Sequence, residues 1–103
     1  MRSTEFDKKV WRALKLIPHG RVTTYKEIAK FIGKPKAARA VGNSCHKNPD
    51  APRVPCHRAV KSDGQLGGYA RGARKKIILL KKEGIEIEKD KIKDFKNRKY
   101  KFK

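Results

Sequence analysis

Long apolar runs are missing from this chain. The longest, Ile77-Ile78-Leu79-Leu80, cannot span a bilayer, and the first residues lack the apolar stretch of a signal peptide. Acid is scarce too: ten Asp and Glu stand against 29 Lys and Arg, for a formal net charge of +19. Such a field attracts nucleic acid or anionic lipid, and with no membrane-seeking segment nucleic acid is the better match. Only two cysteines occur, Cys45 and Cys56. A highly charged chain without a secretion signal points to a reducing compartment, so both are read as free thiols. At 103 residues, 37% of them hydrophobic, the chain has room for one domain with a modest core.

What is present has a helical rhythm. Ser3 and Thr4 are N-cap candidates ahead of Glu5 and Asp7, and Phe6, Val10, Ala13, Leu14 and Ile17 follow at helical spacing until Pro18-His19-Gly20. Thr24-Tyr25-Lys26-Glu27 reads as a capping box opening a short helix through Ile32, with Gly33 as its left-handed stop. Pro35 suits the first turn of another helix, which would carry Lys34, Lys36 and Arg39 among Ala37, Ala38, Ala40 and Val41. Two short helices joined by a glycine turn make a helix-turn-helix candidate, with a packed helical hairpin as the plainer alternative.

From Gly42 to Pro55 the polar stretch reads as ordered loop, and Val54 to Lys61 as extended or as a short buried turn. Turn signals at Ser62-Asp63-Gly64-Gln65 and Gly67-Gly68 bring the chain back past Cys56. A last amphipathic helix is expected over 73–83, with Ala73, Ile77 and Leu80 inward and Gly84 as its stop. Ile85 and Ile87 alternate with glutamates as a weak strand signal. Residues 88–103 are expected to be a basic, mobile tail: from Lys96 to Lys103 there are five basic residues and no acid, with Tyr100 and Phe102 interleaved.

The chemistry centres on Val54-Pro55-Cys56-His57-Arg58. A thiol is a nucleophile only as thiolate, and cationic neighbours lower its pKa, so Cys56 is either a reactive thiol or, as most free cysteines are, a small buried hydrophobe. His57 is suited to act as its base, directly or through water, and a carboxylate such as Glu83 to fix the imidazole tautomer. The steps Cys45-His46 and Cys56-His57 do not match zinc-site spacing, so no metal is expected. On a nucleic-acid surface Tyr25 would contact phosphate or base and Arg39 would wedge into stacked bases.

Pro55-Cys56-His57-Arg58 resembles the active-site motif of the O6-alkylguanine-DNA alkyltransferases, the methylated-DNA-protein-cysteine methyltransferases. The likeness extends through 17–25, Ala37-Ala38-Arg39-Ala40-Val41-Gly42, Asn48-Pro49, Gly67-Gly68-Tyr69 and Leu79-Leu80-Lys81-Lys82-Glu83-Gly84, covering approximately residues 4 to 87. It implies a mainly α domain with minor β, built like the winged-helix-like helix-turn-helix C-terminal domain of that family. Residues 1–87 would form the DNA-binding and catalytic domain. The activity implied is single-turnover repair: an O6-alkylguanine flipped out of duplex DNA loses its alkyl group to cysteine, with O4-methylthymine a further substrate, no cofactor, and a monomer as the working form. The setting implied is the cytoplasm of a prokaryote or the nucleus of a eukaryote.

By match, Cys56 would be the acceptor, His57 its base through a bound water, and Glu83 the group orienting His57. Tyr25 would donate to guanine N3, Arg39 would fill the gap in the stack, and Lys34, Lys36, Ala37 and Ala38 would lie on the DNA surface, in the minor groove. Asn48 would form the hinge between recognition helix and site. Val54, Pro55, Ala59 and Tyr69 would shape the pocket, the carbonyls of Cys56 and Ala59 would read the exocyclic amine, and the amide of Ala70 would stabilise charge on O6. Three departures from the family pattern are expected: no counterpart of the family's common N-terminal domain, Ala70 where serine is frequent, and Arg71 where a small residue is common, which would disfavour bulky adducts. Two other readings remain. One is the family's alkyltransferase-like lesion-binding proteins, which typically lack the acceptor cysteine; the other is a basic nucleoid or RNA-binding protein with an inert Cys56.

Overall fold

The structure, a computed structural model, describes residues 4–69 and 71–102. Helix α1 spans Glu5–Leu14 and opens on a complete capping box: the Thr4 hydroxyl accepts from the Asp7 amide while the Asp7 carboxylate accepts from the Thr4 amide. Its inward face is Val10, Ala13 and Leu14, all buried, and Ile17 joins the same core just beyond the helix end. A two-residue strand, β1 (Thr23–Thr24), leads into α2 (Tyr25–Phe31). The Thr24 hydroxyl caps α2 by accepting from the Glu27 amide, whereas the Glu27 carboxylate faces Lys30 and Lys99. Gly33, at φ +82°, stops α2 in the left-handed region.

Helix α3 (Ala38–His46) packs across α1 and α2, completing a helix-turn-helix. It starts and ends later than the sequence suggests. Lys34 and Lys36 lie in the connecting turn, where the Ala37 amide closes onto the Lys34 carbonyl before the helix begins. Gly42 to His46, read from its polarity as loop, is helical because Val41, Ser44 and Cys45 bury one face. A polar pin fixes that face to α1. Buried Asp7 accepts from Ser44 Oγ and pairs with Lys47 Nζ at 2.8 Å, while Trp11 Nε1 donates to the Ser44 carbonyl. Those partners hold the Asp7 carboxyl well below the usual range even though burial by itself would raise it.

After a long ordered loop, a 3₁₀ turn over Cys56–Arg58 runs into β2 (Ala59–Val60), which pairs in parallel with β1 in the register Thr23–Ala59 and Thr24–Val60. Helix α4 (Ala73–Lys82) packs against that turn. Leu80 is inward as expected, but Ala73 is exposed and the other fully buried position is Lys76. The domain is thus mainly helical with minor sheet, and no described helix is long and apolar enough to cross a membrane.

The C-terminal residues differ from the mobile tail expected for 88–103. Strands β3 (Ile87–Glu88) and β4 (Lys91–Ile92) form a hairpin that buries Ile92 in a second cluster with Val22, Val60, Leu66, Leu80 and Ile85. A turn of helix, α5 (Phe95–Arg98), follows. The Val22 amide then donates to the Arg98 carbonyl, the Tyr100 amide donates to the Val22 carbonyl, and Phe102 stacks on Phe31 with centroids 4.4 Å apart. Aromatic burial and strand-like pairing outweigh the segment's charge.

Candidate active site and nucleic-acid interface

The 3₁₀ turn decides where the Cys-His-Arg side chains go, since at three residues per turn successive side chains diverge by about 120°. Cys56 is buried at 2% exposure, facing a pocket of about 310 Å³. His57 and Arg58 instead reach Glu83, the residue that closes α4. His57 Nε2–H donates to Glu83 Oε2 at 2.7 Å, and Arg58 Nε and Nη2 donate to the same carboxylate at 2.9–3.0 Å. The turn after α1 completes this support: the Gly20 amide donates to Glu83 Oε1, and the Ile17 carbonyl accepts from Arg58 Nη1 at 2.7 Å.

Burial pushes Glu83 up, but the hydrogen bonds from His57, Arg58 and Gly20 prevail and hold it at about 2. It is therefore an anion at neutral pH. That anion accepts the hydrogen bond of the proton carried on His57 Nε2 and so orients the ring; Nδ1 is buried and has no partner among the described residues. Tyr69 meets the His57 ring edge-on at 6.4 Å.

Arg58 is committed to Glu83, so it is not the cation beside the thiol that adjacency in sequence suggests. Burial raises the Cys56 thiol above its ordinary value, opposed by a hydrogen bond from Asn48 and by the charges of Lys76 and Arg71. The resting thiol is therefore neutral at neutral pH. Buried Asn48 ties the preceding loop down by donating to the Val54 carbonyl at 2.7 Å and accepting from the Asp50 amide.

The pocket is walled by α3 through Ala38, Arg39 and Cys45, by Tyr25 at the start of α2, and by the loop through Gly67, Gly68 and Tyr69. Gly67 has φ +71°, and a Cβ there would lie 2.9 Å from Tyr25 Oη, so glycine permits the loop to close onto the tyrosine. Burial, with the nearby thiols, raises the Tyr25 phenol, which stays protonated as a donor. Cys45 is pushed up to about 12 by burial and is likewise a thiol.

Of the residues expected to form the site, Cys56, Tyr25, Arg39, Ala38 and Tyr69 line one pocket, while His57 and Glu83 pair with each other and are not among its lining residues. Asn48, Val54 and Pro55 are buried in the loop leading to it, and Ala59 is buried in β2. Lys34, Lys36 and Ala37 lie in the turn before α3, off the pocket, and Ala70 falls outside the described residues. The sequence reading missed Lys76, whose signal was available: it stands four residues before buried Leu80 and seven before Glu83, on one helical face.

A helix-turn-helix beside a pocket lined by a buried thiol, with a paired imidazole and carboxylate on the adjoining turn and helix, defines a domain of the nucleic-acid-binding class. Residues 5–85 match the family model described as 6-O-methylguanine DNA methyltransferase, DNA binding domain, and the chain belongs to that family. It is 58% identical over 81 residues to a methylated-DNA–protein-cysteine methyltransferase of Methanosarcina acetivorans, covering 79% of this chain and 52% of that protein. It is 45% identical over 89 residues to the bifunctional transcriptional activator/DNA repair enzyme Ada of Escherichia coli, covering 86% of this chain and 25% of Ada. The chain thus spans about half the length, or less, of these curated relatives. Among solved structures, Mycobacterium tuberculosis OGT in complex with DNA superposes with a TM-score of 0.78 at 48% identity, over 81% of this chain and 51% of that one. S. pombe Atl1, in complex with damaged DNA containing O6-carboxymethylguanine, gives 0.85 at 33% identity, over 99% of this chain and 100% of that one.

Proposed function

We propose that this chain binds duplex DNA through α2 and α3 and accepts an alkyl group on Cys56 Sγ from an O6-alkylguanine flipped into the pocket. The observation that carries this reading is the thiol at the pocket, followed in the same turn by His57 paired with Glu83. The new bond is Sγ–C and the broken bond is C–O6. His57 Nδ1 takes the thiol proton, directly or through water, while Glu83 stabilises the imidazolium that forms. Tyr25 gives a proton to guanine N3, so the base leaves neutral; once the proton on His57 returns to the phenolate, the net transfer is from thiol to guanine. The thioether is not reversed, and the chain reacts once.

Flipping costs a few kcal/mol, least for a lesion whose pairing is already weak, and phosphate contacts from a basic surface offset it. Arg39 fills the gap in the stack, a role supported by its exposure on α3 at the pocket. Lys34 and Lys36 serve as phosphate contacts rather than as pocket residues. The Ala59 carbonyl is a candidate acceptor for the guanine amine, and O4-methylthymine a further substrate. The domain acts as a monomer in a DNA-containing compartment.

The match to S. pombe Atl1 over nearly the whole chain favours a second reading, lesion recognition without transfer. Cys56 argues for the first. Incubation with duplex carrying methyl-labelled O6-methylguanine, followed by peptide mass analysis, separates them. Stoichiometric label on Cys56, lost in Cys56→Ala while lesion binding persists, is the expected result; selective binding with an unmodified Cys56 establishes the second reading.

A further inference from the structure

Helix α4 presents Lys76, Leu80 and Glu83 along one face, and Glu83 accounts for only one end of it. Lys76 has no exposed surface. A lysine this buried normally sits against a carboxylate. Here its Nζ donates to three carbonyls, Ala59 at 2.8 Å, Gly68 at 3.1 Å and Leu66, and no acid pairs with it among the described residues. It lies 5.9 Å from the centroid of the Tyr25 ring. The titratable groups facing it are Tyr25 from α2, Cys45 from α3 and Cys56 from the 3₁₀ turn, with Arg71 and Tyr69 facing Cys56 in turn.

Two consequences follow from that geometry. First, the three acceptors come from two parts of the pocket frame: Ala59 follows the thiol-bearing turn, whereas Leu66 and Gly68 flank the glycine that rests on Tyr25. Second, filling space does not require a charge, since an apolar side chain of this length would occupy the site with no desolvation cost. The charge acts on the groups around it, and the group whose reactivity depends on becoming negative is Cys56.

We propose that Lys76 is a positioning residue that ties the Leu66–Gly68 wall to the Ala59 end of the thiol-bearing turn and holds an uncompensated positive charge toward Cys56, favouring its ionised form. Burial lowers Lys76 to about 8, so the charge is present at neutral pH and is lost just above it. Helix α4 then grips the reactive turn from both sides, by an anion on His57 and Arg58 and by a cation on Ala59.

The DNA part of the test rests on the function proposed above; the thiol part does not. Alkylation of Cys56 by iodoacetamide, followed by peptide mass against pH, is compared in wild type, Lys76→Met and Lys76→Arg. At pH 7, where Lys76 carries its charge, the alkylation rate is expected to fall about tenfold in the Met variant and to stay near wild type in the Arg variant, the wild-type and Met curves converging at higher pH as Lys76 discharges. Methyl transfer from lesion duplex should fall about tenfold or more in the Met variant, with duplex affinity within about threefold of wild type, and recover in the Arg variant. A folded Met variant alkylated at the wild-type rate at pH 7 overturns the proposal. Where the Met variant fails to fold, the wild-type curve carries the test: discharge of Lys76 broadens it beyond a one-proton titration, and a simple one-proton curve overturns the proposal. A wild type that never takes up methyl defeats the repair reading while the iodoacetamide arm still reports on Lys76.

Discussion

Replacing Glu83 by glutamine tests the support behind the thiol through the pH dependence of stability. The Glu83 carboxylate titrates at about 2 in the folded chain against an ordinary value of 4.5. That difference corresponds to about 3 kcal/mol of folding stability. The sign follows from which state binds the proton first. As pH falls, the unfolded chain protonates Glu83 near its ordinary value while the folded chain holds the anion, so the contribution is complete above about pH 5 and lost as pH falls through about 2. Glu83→Gln keeps a carbonyl for the His57 proton but leaves the Arg58 guanidinium without its anion, so the variant should be less stable by about 3 kcal/mol at pH 7. Urea unfolding reports this through Trp11, the one tryptophan of the chain, which is fixed to Ser44 in the fold. Asp7 also loses stabilisation in acid, but it is present in both proteins, so the difference between them isolates Glu83. The gap should shrink steadily from pH 5 to pH 2; a gap that stays constant over that range would refute the reasoning.

Gly67→Ala forces a side chain into the left-handed region and against the Tyr25 hydroxyl, so urea midpoints should show a loss of about 1–3 kcal/mol and methyl transfer should slow as Tyr25 shifts. Arg39→Ala removes an exposed side chain and should leave the melting temperature unchanged while lowering the repair rate on paired lesions; equal rates reject the stacking role. Duplex affinity should fall linearly with the logarithm of salt concentration, and Lys34→Ala or Lys36→Ala should each make that slope shallower by about one, measured by fluorescence anisotropy. Phe102→Ala should destabilise the fold by about 1 kcal/mol or more, since Phe102 stacks on Phe31 and meets Tyr100 edge-on; a mobile arm would show no change.

Features that local chemistry decides were readable in the sequence: the Thr4 and Thr24 caps, and the left-handed stops at Gly33 and Gly84, act within a few residues of themselves. The reach of α3 was not, because its polar last turn is held by Asp7, 37 positions away from Ser44. Cys56 and His57 were visible as chemistry and Glu83 was named as a carboxylate suited to hold the imidazole, but local sequence could not show that it reaches His57 across 26 positions of chain. Arg58 misled because adjacency along the chain is not adjacency in a 3₁₀ turn, which sends it away from the thiol. Lys76 escaped notice because a lysine in a run of lysines reads as solvated, and only the helical period shows that it faces inward. Tyr100 and Phe102 were overruled by the charge around them; their backbone and ring partners, Val22 and Phe31, lie some 70 residues upstream.

Under the proposed function the acceptor thiol is spent in a single event, and the concealment of Cys56 then has a practical consequence. Peroxide, electrophilic metabolites and free alkylating agents all attack thiolates at large, and a sulfur kept protonated behind α3 and the glycine loop presents them with little to consume. For an acceptor of that kind, working lifetime would be set by how seldom a damaged base arrives and not by the background chemistry of its surroundings.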